Sequence, residues 1–155
     1  MKSILTAEQI ESLRHVETAA LSNAIEQFGV QPRTAGFMGS EIACLFPELG
    51  AMVGYAVPVC FDNTTEGMPF DLDMAVEMRK AIETSPKPAV VIGKDVGCDP
   101  TRACHYGEGM TIMSKVLGAV GLVSDACVRD VQGIRSHDFQ VFCRGVVASH
   151  GNFRV

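Results

Sequence analysis

The chain switches between helical and strand-like hydrophobic periods, and the switches predict its elements. Thr6-Ala-Glu-Gln9 has capping-box form and opens a short helix through about residue 14. Ala20, Leu21, Ala24, Ile25 and Phe28 recur at helical spacing, so a second helix is expected over about 18–28, with an apolar face and Gly29 as its stop. Residues 32–39 read as loop, and strand-like runs come next at 41–46 and 51–61. Pro58 has no N–H to give a ladder, which assigns the second run to a sheet edge or a bulge. A polar turn covers 62–69; Asp71 or Asp73 then starts a helix through about 84, ended by Ser85-Pro-Lys-Pro88.

The second half repeats the alternation in shorter pieces. A compact apolar strand is expected at 89–92, a glycine-bearing loop at 93–107, a helix at 108–117 and a strand at 121–124. A short helix at 131–136 and a strand at 139–143 complete the series. Strands alternating with helices indicate an α/β domain with a partly parallel sheet. The sequence shows no internal repeat and no low-complexity segment. Residues 146–155 carry no closing element, so a sheet edge there needs cover from further chain or from another subunit.

Composition narrows the class. A chain of 155 residues with 47% hydrophobic and 20% charged positions is expected to form one globular domain with a sizeable core. The net charge of −5 opposes binding to nucleic acid or an anionic membrane through bulk charge. The first ten residues hold no apolar run long enough for a signal peptide or a membrane span, which points to a cytoplasmic protein. Cys44, Cys60, Cys98, Cys104, Cys127 and Cys143 form no CxxC pair, so they read as reduced thiols, most of them small buried hydrophobes. Cys98, Cys104 and His105 form at most a partial zinc set, with no second ligand pair at a standard spacing. His105 and His137 read as ordinary loop residues.

The most informative chemistry is Glu108, then twenty residues, then Arg129-Asp130. Between them GMTIMSKVLG is helix-like and AVGLVSDACV is strand-like, so one α/β step brings both ends to the same sheet edge. Ligands of open α/β folds gather at the carboxyl ends of strands. Asp130 is a hard oxygen ligand suited to Mg²⁺ or Mn²⁺. Arg129 offers a planar fork for a carboxylate. Glu108 can hold a metal-bound water or move a proton. The helix start leaves the amides of Gly109 and Met110 without intrahelical partners, an anion-attracting end, while Gly107 and Gly109 let a ligand approach the backbone. Such a set suits a 2-oxo acid, whose enolate it would stabilise. Each residue also has a plain reading: Glu108 complements a helix dipole, Arg129-Asp130 is a surface turn, and the glycines are loop punctuation.

The stretch GEGMTIMSKVLGAVGLVSDACVRDVQGIRSHDFQVFCRG resembles the core of the RraA-like and class II 4-hydroxy-4-methyl-2-oxoglutarate/4-carboxy-4-hydroxy-2-oxoadipate aldolase family. Weaker similarity extends through TAALSNAIEQFG and MVGYAVPV. The resemblance implies a swivelling β/β/α-type domain over 1–155 that lacks the family's usual C-terminal strands, assembled as a homotrimer or a pair of trimers. It implies that Asp130 binds the divalent metal and Arg129 the substrate. Gly107-Glu108-Gly109-Met110 would hold the pyruvyl carboxylate through backbone, with Glu108 at the position that holds a metal water and moves a proton. The implied reaction is aldol cleavage to pyruvate, with oxaloacetate decarboxylation beside it. The family's aldolases are similar to Asp, not Glu, at position 108. Two other readings come from different classes: an RraA-like regulator that binds ribonuclease E without catalysis, which Asp130 disfavours, and a structural oligomer with a relic site. A methyltransferase reading finds no glycine-rich S-adenosylmethionine loop after an early strand.

Overall fold

The structure is a computed structural model, and it describes residues 4–149 and 155. Its first helix, α1 (Ala7–Arg14), has the full capping box: Thr6 Oγ1 accepts from the Gln9 amide and the Gln9 side chain accepts from the Thr6 amide. The second, α2 (Thr18–Glu26), stops earlier than its pattern, and Gly29 turns the chain at φ 62°. Its apolar face is not buried: Ile25 and Phe28 are exposed. Periodicity shows that a face exists, and here no described element covers it.

Two sheets carry the rest. The larger has the order β1-β7-β5-β3-β2, with β1 (Ala43–Cys44), β2 (Tyr55–Phe61), β3 (Ala89–Asp95), β5 (Ala119–Ser124) and β7 (Gln140–Cys143). All its pairings are parallel except β1 on β7. The smaller is parallel throughout, β4 (Cys104–Tyr106), β6 (Cys127–Val128) and β8 (Gly145–Val146) in that order. Pro58 lies on the edge strand β2, where an absent N–H costs no ladder bond. The Tyr55 amide points to β3, bonding Pro88 O, so by period-two alternation position 58 faces outward.

Helices α3 (Leu72–Thr84), α4 (Glu108–Val116) and α5 (Val131–Ser136) come after β2, β4 and β6. Asp71 caps α3 by accepting from the Met74 amide, and Ala75, Met78 and Ile82 bury its inner face. The core gathers Phe46, Phe61, Ile82, Val91, Leu122, Ile134, Phe139 and Val141.

Four sequence expectations change. The run at 41–46 is strand only at Ala43–Cys44, with the Leu45 amide still bonded to Val141 O at 2.8 Å before a 3-10 turn starts at Pro47. The run at 51–61 becomes strand only from Tyr55. The supposed loop at 93–107 contains the end of β3 and all of β4. The stretch 119–128 is not one strand: it breaks after Ser124, and its halves enter different sheets. The result is a unit of large-sheet strand, small-sheet strand and helix (β3-β4-α4, then β5-β6-α5) that recurs in topology without recurring in sequence.

Candidate functional site

The small sheet positions the site. Because β4, β6 and β8 are parallel, their carboxyl ends share one edge, with Tyr106 in register with Val128 and Val128 with Val146. The segments leaving these strands therefore converge: Gly107-Glu108 after β4, Arg129-Asp130 after β6, and Val147-Ala148-Ser149 after β8. The Arg129 amide continues the ladder onto Tyr106 O at 2.8 Å, and the Val147 amide continues it onto Val128 O at 3.0 Å.

The predicted residues meet there. The Glu108 amide donates to Asp130 Oδ2 at 3.2 Å, and Arg129 Nε stands 3.4 Å from the same oxygen. Arg129 Nη1 donates to Ser149 O at 3.2 Å. A Cβ on residue 107 would lie 2.4 Å from Asp130 Oδ2 and 3.0 Å from Arg129 Nε, so a side chain there would displace this pair. Gly109 has open space around it, and Met110 packs partly against the core. The helix α4 starts without a side-chain cap, and its Gly109 and Met110 amides stand in the first turn, where intrahelical acceptors are missing. A cavity of about 430 Å³ is lined by Arg129, Asp130, Val131 and residues 146–149.

Asp130 adopts the left-handed conformation at φ 53° and ψ 43°, tolerable for Asp among non-glycine residues. It leads into α5, which at six residues would not persist alone. Ile134, fully buried, pins that helix, and the Ile134 amide closes its first turn onto Asp130 O at 2.9 Å. Glu108 turns its carboxylate across α5, with Oε1 3.3 Å from His137 Nε2. Cys104 is buried, which pushes its thiol up to about 11 despite the opposing pull of Arg129 and disfavours the thiolate.

The donor set fits a hard divalent ion. Asp130 Oδ2 is engaged by protein donors while its half-exposed carboxylate borders the cavity, which has room for the waters that Mg²⁺ retains. Among the described residues no group of three or more His, Cys, Asp or Glu gathers as an all-protein cage, the zinc set at Cys98, Cys104 and His105 included.

Sequence reasoning missed two features. His105 is not a loop residue but a fully buried strand residue. Its Nε2 donates to Asp95 Oδ2 at 2.9 Å, its Nδ1 accepts from Ser124 Oγ at 2.8 Å, and Ser124 Oγ accepts from the Ala126 amide at 3.0 Å. Every proton in that chain has an acceptor, and the chain ties β4 of the small sheet to β3 and β5 of the large one. Burial lowers the His105 pKa despite the opposing pull of Asp95. The second is the 147–149 strap. It carries no motif, and only the small sheet's register brings it to the site. The cysteines divide evenly: Cys104, Cys127 and Cys143 are buried, while Cys44, Cys60 and Cys98 are exposed.

Comparison with known proteins agrees with this architecture. A Halalkalibacterium halodurans protein provisionally named 4-hydroxy-4-methyl-2-oxoglutarate aldolase is 36% identical over 73 residues, 47% of this chain and 33% of that protein. The chain thus spans about a third of the length of that curated relative. Among solved structures, Streptomyces coelicolor RraAS2, described as an unusual member of the RNase ES inhibitor RraA family, superposes with a TM-score of 0.66 at 22% identity, covering 94% of this chain and 67% of that one. An uncharacterized Pseudomonas syringae pv. tomato protein gives 0.64 at 23%, covering 94% and 59%. These likenesses bear on fold. The family model described as RraA-like, Aldolase/RraA, matches residues 18–154, and the chain belongs to that family.

Proposed function

We propose that the protein is a divalent-metal-dependent lyase that cleaves 2-oxo acids of the 4-hydroxy-4-methyl-2-oxoglutarate type to pyruvate, with oxaloacetate decarboxylation as a second activity. The observation that carries this reading is that Arg129 and Asp130 pair beside one cavity while the first amide of α4, that of Glu108, bonds Asp130. Asp130 would hold Mg²⁺ or Mn²⁺, and the ion when bound would supply electrophilic polarisation of the keto group. The Arg129 fork orients the substrate carboxylate, and the Gly109 and Met110 amides face the same anion at a helix start. In cleavage a proton leaves the C4 hydroxyl, the C3–C4 bond breaks, and C3 of the resulting enolate takes a proton. Glu108 would hold a water or carry that proton.

A second reading, a non-catalytic regulator that binds ribonuclease E, has an observation of its own. Arg129 is engaged internally, by Asp130 and by Ser149 O, so a substrate must displace the strap's carbonyl to use the whole fork. Pyruvate release from 4-hydroxy-4-methyl-2-oxoglutarate and from oxaloacetate, with Mg²⁺ and with EDTA, separates the two. The lyase reading expects turnover that EDTA abolishes and Mg²⁺ restores. No turnover on either acid, together with direct binding to ribonuclease E, would favour the regulator.

A further inference from the structure

We propose that His137 is a positioning residue for Glu108, an inference that rests on the lyase reading above. Its ring sits at the carboxyl-terminal cap of α5, with Nε2 3.3 Å from Glu108 Oε1. An ionised carboxylate only accepts, so the imidazole donates. The two side chains are about a third and a half exposed, at 33% and 49%. In such a setting the pair adds little to stability, so its place in the site is the more telling property.

Three further features point the same way. Gly133 opens the lane by which Glu108 reaches His137. A Cβ there would stand 2.7 Å from Glu108 Cδ and 2.8 Å from Oε2. Asp130 and His137 are the two caps of α5, and buried Ile134 fixes the helix between them. Lys115 of α4 bonds the His137 carbonyl, which clamps that end of α5 to the helix from which Glu108 projects. A glutamate has three side-chain torsions, and untethered its carboxylate samples many placements. With Oε1 held by His137, the other oxygen stands over Gly133, where a Cβ would come within 2.8 Å of it. His137 thus sets where the proton-carrying carboxylate stands and does not itself touch substrate.

The test compares His137→Ala, His137→Gln and Gly133→Ala with the wild type in Mg²⁺-dependent pyruvate release. Loss of positioning is expected to lower kcat by about 10-fold or more in His137→Ala, while KM, set by Arg129 and backbone amides, moves less than about twofold. Glutamine keeps an N–H donor and is expected to recover part of the loss, as is added imidazole with the alanine variant. Gly133→Ala is expected to show the same kcat-selective loss, because its Cβ would meet the Glu108 carboxylate and, at 2.9 Å, the Glu108 Cβ, and so displace that side chain. Wild-type kcat in His137→Ala, a faster enzyme, or a change confined to KM would overturn the inference and leave the lyase reading standing. An inactive wild type would overturn that reading and the inference with it.

Discussion

At the scale of residues, the proposed lyase rests on Arg129 and Asp130. Their mutual ion pair is about half exposed, at 39% and 47%, so it contributes little to stability. Lysine at 129 keeps the charge but gives up the planar fork that contacts Asp130 and Ser149 O. Arg129→Lys is expected to lose roughly 10²-fold in kcat/KM with stability changed by about 0.5 kcal/mol or less. Turnover and thermal unfolding of the same variant check this. Wild-type kinetics would make Arg129 the surface residue of the plain reading. Gly107 belongs to the same logic. Its φ of −135° is open to any residue, but a Cβ there would stand 2.4 Å from Asp130 Oδ2 and push that carboxylate aside.

At the scale of elements, the buried Asp95–His105–Ser124 chain holds the two sheets together. Its pH behaviour comes from burial. The folded-state His105 pKa is lowered, whereas the unfolded ring titrates near ~6.5. As pH falls below that value the unfolded chain takes up a proton that the folded one refuses, so stability is full above about pH 6.5 and declines on acidification. Melting temperatures between pH 8 and 5 are expected to fall on the acid side. His105→Ala is expected to flatten that fall and to cost about 2–3 kcal/mol at neutral pH, because Asp95 Oδ2 is left buried without its donor. A wild-type melting temperature flat across this range would contradict the assignment.

Much of the element structure was legible. The Thr6–Gln9 box, the Asp71 cap, the 131–136 helix and the edge placement of Pro58 all arise from local chemistry, and local chemistry is what a sequence displays. The meeting of Glu108 with Arg129-Asp130 was legible as well, through a spacing that matches one helix and one return. The path of that return was not. The break after Ser124 sends Cys127–Val128 into a second sheet, and the apolar run gives no sign of a change of partner. His105 was illegible for a similar reason, since its partners lie ten and nineteen residues away and only pairing brings them together. His137 faces Glu108 across a gap of twenty-nine residues that no local pattern encodes.

At the scale of the whole molecule, the amino-terminal third leaves apolar surface uncovered. Phe28 and Phe37 are 77% and 72% exposed, and Ile25, Val30 and Met38 are also exposed. Apolar surface of this kind favours association, and the family resemblance implies trimers or pairs of trimers. Light scattering at micromolar concentration is expected to give a mass at least three times that of the 16.6 kDa chain. A stable monomer would contradict an assembly that covers this face. Among the described residues no helix is long and apolar enough to cross a membrane.

The central claim is that Asp130, Arg129 and the start of α4 form a metal-dependent site for enolising a 2-oxo acid. Exchange of the pyruvate methyl protons with solvent reports that chemistry without requiring the full natural substrate. Proton NMR of pyruvate in D₂O with the protein and Mg²⁺ is predicted to show the methyl signal decaying. EDTA, Arg129→Lys and Asp130→Asn are each predicted to slow that decay sharply while the variants stay folded. A methyl signal that persists with wild-type protein and Mg²⁺, or decays equally with EDTA or with Asp130→Asn, would contradict the account.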